Sequence, residues 1–249
     1  MKKIVAIGGG EIGRPGYPTD IVKIDKEIIK LTGKKNPKLL FLPTASSDSE
    51  FYCEVVKKYF GKKLGCQIDI LYLVNKKITQ KIIKQKIFGS DIIYVGGGNT
   101  LQMMKIWRKC GLDKILKQAH TKGIVLAGLS AGSICWFEWG NSDSRRMKNP
   151  QAGFIKVSGL GLIKSLHCPH FDVEKDRRSE IKNTMRKDKG VCIALDNCCA
   201  LEVIDDKYRI VSSKATANAY KIYWQANRYY EVLIKKEKDF RPLKELLTK

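Results

Sequence analysis

The segment Gly128-Leu-Ser-Ala-Gly-Ser133 holds the serine best placed for nucleophilic chemistry. It follows the apolar run 123–127 and precedes residues 131–137, which are typical of the start of a buried helix. A strand that ends in a small-residue turn and opens a helix has the geometry of a nucleophile elbow, which lifts a serine hydroxyl above the sheet. This predicts Ser130 as the nucleophile and Ser133 as a helix residue one turn further on.

A nucleophilic serine needs a general base, and the chain has three histidines. His120 ends an amphipathic segment and is expected at the surface. His167 and His170 lie in Leu166-His-Cys-Pro-His-Phe-Asp172, where the proline favours a stiff, extended loop. Such a loop can aim an imidazole, and imidazole titrates in the range that a general base requires. A core or loop histidine without a catalytic role is the alternative for each.

The acid that would orient the base is ambiguous in the sequence. Asp143 lies in a polar turn, Gly140-Asn-Ser-Asp-Ser144, after the elbow helix, and Asp196 ends a later apolar run. Asp172 follows His170 by two residues and is expected to point elsewhere or to cap a helix. Each of these residues is also a common turn former.

The glycine-rich segment Gly96-Gly-Gly-Asn-Thr100 allows two interpretations. Its backbone N–H groups could bind a phosphate at a helix N-terminus, although the lysine and spacing of a Walker loop are missing. Alternatively, a glycine amide there could join the Ala131 amide in stabilising an oxyanion.

Composition excludes several classes of protein. The chain of 249 residues is 43% hydrophobic, enough for a large core, and we expect one domain over 1–249. Its apolar runs are too short to span a bilayer, and none of its eight cysteines forms a zinc-type pair. We therefore expect reduced buried thiols, a cytoplasmic location, no membrane association, and no metal or other cofactor.

The net charge of +22 is the strongest compositional oddity. Such a field could attract nucleic acid or an anionic substrate. The lysines are spread along the whole chain, and aromatic residues do not alternate with them as a stacking platform would require. A solvated surface is the favoured interpretation, and nucleic-acid binding is the alternative.

Short apolar runs alternate with amphipathic segments through the first half of the chain. Strands are predicted over 3–7, 39–42, 67–73, 91–95 and 123–127, with helices over 21–31, 50–60, 78–87 and from 101. This rhythm predicts an α/β fold, a doubly wound, mostly parallel sheet flanked by helices. Closely spaced runs after residue 190 predict antiparallel strands added at one edge. Ligands bind such sheets beyond the carboxyl ends of the strands, where residues 8–10, 96–100 and the elbow fall.

Three motifs in order, Gly96-Gly-Gly-Asn-Thr-Leu-Gln102, Gly128-Leu-Ser-Ala-Gly-Ser133 and Cys168-Pro-His-Phe171, resemble the peptidase E and cyanophycinase family of serine peptidases. The resemblance spans residues 3–204 and implies a fold like that of class I glutamine amidotransferases. It implies Ser130 as nucleophile, His170 as base, and the amides of Gly98 and Ala131 as oxyanion donors.

Members of this family differ in the acid. The aspartyl dipeptidase pattern matches Asp143, whereas the cyanophycinase pattern has a glutamate where this chain has Asn197, next to Asp196. Because an amide cannot stabilise an imidazolium as a carboxylate does, we predict Asp143 as the acid and Asp196 as the alternative.

The resemblance also implies a substrate, a small peptide cleaved after an N-terminal aspartate. The alternatives are aspartyl-arginine material, as for cyanophycinase, and a non-catalytic protein that binds anions or nucleic acid. Arg177 and Arg178 are the candidates for holding a substrate carboxylate, a role that suits a bidentate guanidinium. A homodimer is a further expectation.

Overall fold

A computed structural model describes residues 1–74, 78–173 and 176–249. The first sheet has eight strands in the order β14-β11-β10-β1-β5-β4-β2-β3, and the second has six in the order β13-β12-β9-β8-β6-β7. The strands are β1 (Lys3–Ile7), β2 (Lys38–Leu42), β3 (Gln67–Ile70), β4 (Ile92–Val95), β5 (Val125–Leu129), β6 (Phe137–Ser142), β7 (Ile155–Ser158), β8 (Ile163–Cys168), β9 (Cys192–Leu195), β10 (Cys199–Ile204), β11 (Lys207–Ser212), β12 (Ala219–Gln225), β13 (Arg228–Leu233) and β14 (Arg241–Pro242). The α-helices are α1 (Val22–Lys30), α2 (Glu50–Val56), α3 (Gln80–Phe88), α4 (Thr100–Cys110), α5 (Leu112–Thr121), α6 (Ala131–Ile134), α7 (Arg177–Lys187) and α8 (Leu243–Leu247).

The centre of the first sheet is parallel and covered on both faces. Strands β4 and β5 are buried along their whole length, as expected of the apolar runs that form them. The helices between these strands turn apolar faces to the sheet; α5, for example, buries Leu112, Ile115, Leu116 and Ala119. The predicted fold class, a mostly parallel α/β sheet with antiparallel strands from the C-terminal part, is confirmed.

The parallel register brings the carboxyl ends of three strands to one edge of the first sheet. Ile7 pairs with Leu129, and Val95 pairs with Gly128. The turn 8–10, the turn 96–99 and the elbow at Ser130 therefore begin side by side. This is the edge at which a ligand site was expected.

The second sheet was not predicted. Strands β10 and β11 do join the first sheet, where β10 pairs antiparallel with β1 and β11 pairs antiparallel with β10. Strands β9, β12 and β13 instead belong to the second sheet, in which β9 pairs with β8 and β12 lies between β9 and β13. The helix expected over 131–137 ends at Ile134, and the chain enters β6 at Phe137. The predicted helix over 50–60 is α2 followed by π-helical turns over Lys57–Lys63. Within the described ranges, no helix is long and apolar enough to cross a membrane.

The carboxyl group of Asp25 is fully buried in the protein. Asp25 of α1 is buried and accepts a hydrogen bond from the Tyr59 hydroxyl at 2.9 Å, while its Oδ1 has no partner among the described residues. Burial raises the pKa of Asp25 to about 8, and the charge of Asp20 adds to the shift. The carboxyl is therefore protonated in the folded protein at neutral pH.

This raised pKa predicts a stability that falls with pH. Between the unfolded pKa of about 4 and the folded value, the native state holds a proton that the unfolded chain releases, so Asp25 destabilises the fold progressively as pH rises, by about 1.4 kcal/mol per unit. Asp25→Asn removes this dependence, and we expect its free energy of unfolding to fall less steeply from pH 5 to pH 8 in urea titrations. Glu54→Gln, which removes an exposed carboxyl group, is the control. Parallel pH profiles for wild type and Asp25→Asn would contradict the prediction.

Candidate active site

Ser130 stands between β5 and α6 in a strained conformation. Its backbone has φ 55° and ψ −115°, and its N–H donates to the Ile7 carbonyl at 3.1 Å. A positive φ is uncommon for a residue other than glycine, and strain of this kind costs about 1–3 kcal/mol and clusters at active sites. The serine therefore occupies the sharp strand-to-helix turn that the sequence predicts.

Two glycines make this turn possible. A Cβ on Gly132 would lie 2.1 Å from the Val95 carbonyl oxygen, and a Cβ on Gly128 would lie 2.5 Å from the Gly132 oxygen. Both are backbone clashes that no rotamer change relieves. The first turn of α6 can therefore pack on the end of β4 only because neither position carries a side chain.

His170 follows β8 and is also held at a positive φ, 52°. Its N–H donates to the Gly8 carbonyl at 3.1 Å, and its Nδ1 donates to Oδ1 of Asn197 at 2.7 Å. The Asn197 backbone N–H in turn donates to Asp172 at 2.8 Å. A proton on Nδ1 leaves Nε2 in the unprotonated form that a general base requires.

Gly9 supports this arrangement from below. A Cβ at Gly9 would lie 2.0 Å from Asn197 Oδ1 and 2.4 Å from the His170 ring. The imidazole and its amide partner thus rest directly on the backbone of the turn after β1. This is a specific role for the first glycine-rich turn.

Ser130 and His170 line the same cavity, of about 370 Å³. This volume lies near the lower end of small-molecule sites. The first loop and the start of α2 supply most of the other lining residues, which are Gly10, Glu11, Ile12, Arg14, Ser49, Phe51, Tyr52, Gly97 and Leu129. Sequence patterns did not identify Glu11, Arg14 or Tyr52 as site residues, because no motif includes them.

The predicted oxyanion donors lie on the two turns beside Ser130. Gly98 has φ 135° and packs so closely that a Cβ would lie 2.2 Å from the Ala45 oxygen. Its neighbour Gly97 lines the cavity, and its N–H points to the Tyr52 hydroxyl at 3.5 Å. Burial raises the pKa of Tyr52 to about 12, which keeps the phenol protonated. The roles of the Gly98 and Ala131 amides stay predictions.

The two predicted acids lie apart from the hydrogen bond that orients His170. Asp143 follows β6, and its backbone carbonyl accepts from the Arg146 N–H at 2.7 Å. The carboxylate of Asp196 accepts from the Asn218 N–H at 2.8 Å, and burial raises its pKa. The partner at His170 Nδ1 is Asn197, the residue that follows Asp196, and not either of the two predicted carboxylates.

The two predicted substrate arginines have protein partners outside this cavity. Arg177 is 1% exposed, donates to the Asn141 carbonyl at 3.0 Å and packs 4.4 Å from the Phe154 ring centre. Arg178 pairs with Glu231 at 2.9 Å and stacks on Phe171. Among the described residues that line the cavity, the arginine is Arg14.

His167, the other candidate base, is buried beneath the elbow. It lies in β8, not in a loop, and stacks on Phe137 with ring centres 4.3 Å apart. Its Nδ1 donates to the Ile193 carbonyl at 2.8 Å, and its Nε2 lies 2.8 Å from the Ser133 hydroxyl, which also reaches the Ser130 carbonyl at 2.7 Å. Burial lowers the pKa of His167 to about 3, so it stays neutral. This network connects the second sheet to the carbonyl of the strained serine.

No group of three histidine, cysteine, aspartate or glutamate side chains is placed to bind a metal ion in the part of the chain that the structure describes.

Comparison with known proteins shows the family to which the chain belongs. The model of Peptidase family S51 matches residues 4–211. The uncharacterized peptidase YgaJ of Bacillus subtilis is 36% identical over 93% of this chain and 96% of its own length, and Peptidase E of Nostoc sp. is 24% identical over 82% and 84%. The crystal structure of a peptidase from an acI-B1 Actinobacterium shares the fold with a TM-score of 0.73, at 17% identity over 97% of both chains. The chain is a peptidase that belongs to Peptidase family S51.

Proposed function

We propose that this peptidase is a serine exopeptidase that cleaves small peptides after an N-terminal aspartate, through an acyl-enzyme on Ser130. The observation that carries the proposal is one cavity lined by a strained elbow serine and by a histidine whose Nδ1 proton is fixed. A cavity of about 370 Å³ suits a short peptide better than a folded chain. The aspartate preference rests on the resemblance to peptidase E.

In this mechanism the Ser130 hydroxyl attacks the carbonyl carbon of the first residue, and its proton passes to Nε2 of His170. The amides of Ala131 and of the turn 96–99 stabilise the oxyanion that develops. His170 then protonates the departing amine as the carbon–nitrogen bond breaks. Water hydrolyses the ester by the same sequence, with His170 again accepting the proton.

Asn197 is a positioning residue in this mechanism. Its amide oxygen fixes the tautomer of His170, while the Asp172 carboxylate holds its backbone. An amide aligns the ring without adding negative charge beside the imidazolium that forms. The base is therefore oriented by geometry at Nδ1.

Ser130→Ala should lower kcat for aspartyl peptides by about 10³-fold or more, because no acyl-enzyme can form. A fluorophosphonate probe should label the wild-type protein at Ser130 and leave the variant unlabelled, as read by mass spectrometry. Ser179→Ala, at an exposed helix serine, is the control and should behave like wild type. Because Ser130 holds a positive φ, thermal unfolding of each variant must show a folded protein. Retained turnover in folded Ser130→Ala would refute the serine mechanism.

Replacing Asn197 should reveal its role through the pH profile. Asn197→Asp places a carboxylate at Nδ1, which stabilises the imidazolium and should move the acidic limb of kcat/KM to higher pH by about one unit or more. Asn197→Ala should lower kcat more than it changes KM, because the ring loses its orientation. Asn227→Asp, in an exposed turn, adds the same charge away from the site. An unshifted pH profile in Asn197→Asp would show that this residue does not orient the base.

A further inference from the structure

The first loop places an ion pair in the wall of the cavity. Glu11 and Arg14 follow the turn 8–10 and line the same space as Ser130 and His170. The loop is closed by the bridge between Ile12 and Thr19 and by hydrogen bonds between Glu11 and Asp20, at 2.6 Å and 3.0 Å. The pair therefore stands on an anchored segment beside the nucleophile.

The geometry of the pair leaves hydrogen-bonding capacity on both members. Nε of Arg14 donates to Oε2 of Glu11 at 2.8 Å, and Nη2 donates to Oε1. The guanidinium also lies over the Tyr17 ring, 4.7 Å from its centre, which fixes its plane. Two of the five guanidinium N–H groups are used in this pair, and the carboxylate oxygens retain further lone pairs. A substrate can bind without breaking the pair.

We propose that Glu11 and Arg14 form the subsite for the first residue of the substrate, Arg14 binding its side-chain carboxylate and Glu11 its free α-ammonium group. The inference rests on the proposed function and specifies how that site selects its substrate. An N-terminal aspartate carries one charge of each sign close to the scissile carbonyl. A pair that presents one cation and one anion beside Ser130 matches that zwitterion. A substrate with an acylated amino group leaves Glu11 without its ionic partner, and one with an uncharged side chain leaves Arg14 without its ionic partner.

Three p-nitroanilides separate the two contacts: aspartyl, asparaginyl and N-acetylaspartyl. Their leaving group has no carboxylate, so Arg14 cannot act by binding a C-terminus. The wild-type protein should prefer aspartyl over asparaginyl and over N-acetylaspartyl substrates. Arg14→Met should lower kcat/KM for the aspartyl substrate at least tenfold and leave the asparaginyl substrate within about threefold, which removes the preference.

Glu11→Gln tests the second contact. It should lower kcat/KM for both substrates that carry a free ammonium group, and it should reduce the discrimination against the N-acetylated substrate at least fivefold. The matched control is the exposed pair Arg241 and Glu245, which joins at 2.8 Å with Arg241 over the Tyr208 ring. Arg241→Met and Glu245→Gln should leave all three rates at the wild-type values.

The possible outcomes separate this inference from the proposed function. An aspartyl preference that survives in folded Arg14→Met, or that is lost in Arg178→Met instead, overturns the assignment of Arg14 while the aspartyl peptidase stands. Unchanged discrimination against the N-acetylated substrate in Glu11→Gln overturns the assignment of Glu11. Failure of the wild-type protein to cleave aspartyl substrates, with Ser130 still labelled by the fluorophosphonate, refutes the proposed specificity itself.

Discussion

The close approach of the first turn of α6 to the end of β4 is the constraint on which the site depends. Val95 ends the strand beside β5, and its carbonyl oxygen lies where a side chain of Gly132 would have to be. With glycine there, the chain can turn sharply at Ser130 and accept a positive φ. The strain is local, because β5 is hydrogen-bonded between β1 and β4, and the Ser130 N–H is fixed to Ile7. A rigid sheet thus holds the serine in a conformation that an isolated turn would not keep.

The histidine comes to this serine from the second sheet. His170 leaves β8 at a second positive φ and binds the backbone of Gly8, which belongs to the first sheet's turn. Gly9 lies beneath the imidazole and Asn197. The site is therefore built where the two sheets meet, and the buried contact of His167 with Ser133 repeats that connection below the surface. Ser130 and His170 follow strands of different sheets, so the alignment of the two side chains depends on the packing between the sheets.

The parts of the fold and site that could be predicted from the sequence are those that depend on neighbouring residues in the chain. The elbow is a short pattern of small residues between a strand and a helix, so the sequence was enough to predict that Ser130 lies in a sharp strand-to-helix turn. The acid was not decidable, because β8 lies between two parallel neighbours: Gly140 of β6 pairs with His167, and Ala194 of β9 pairs with Cys168. Asp143 and Asn197 are thus both just past the end of a strand beside His170. The hydrogen bond from His170 Nδ1 to Asn197 Oδ1 decides between them, and this tertiary contact cannot be read from one sequence. The second sheet itself was hidden because β6 and β7 contain as many polar as apolar residues.

Charge in this protein acts at two separate ranges. A net charge of +22 produces a long-range field that attracts anions of any kind, but salt screens exposed charges over about 8–10 Å. That field cannot distinguish an aspartate side chain from a C-terminal carboxylate. Inside the cavity the balance is different, because Arg14 is already matched by Glu11 and the partner at His170 Nδ1 is a neutral amide. Selectivity must then come from where the few donors and acceptors stand, not from the sign of the surface. The anchored first loop, which carries Glu11 and Arg14 next to the strained serine, is the element that can provide it.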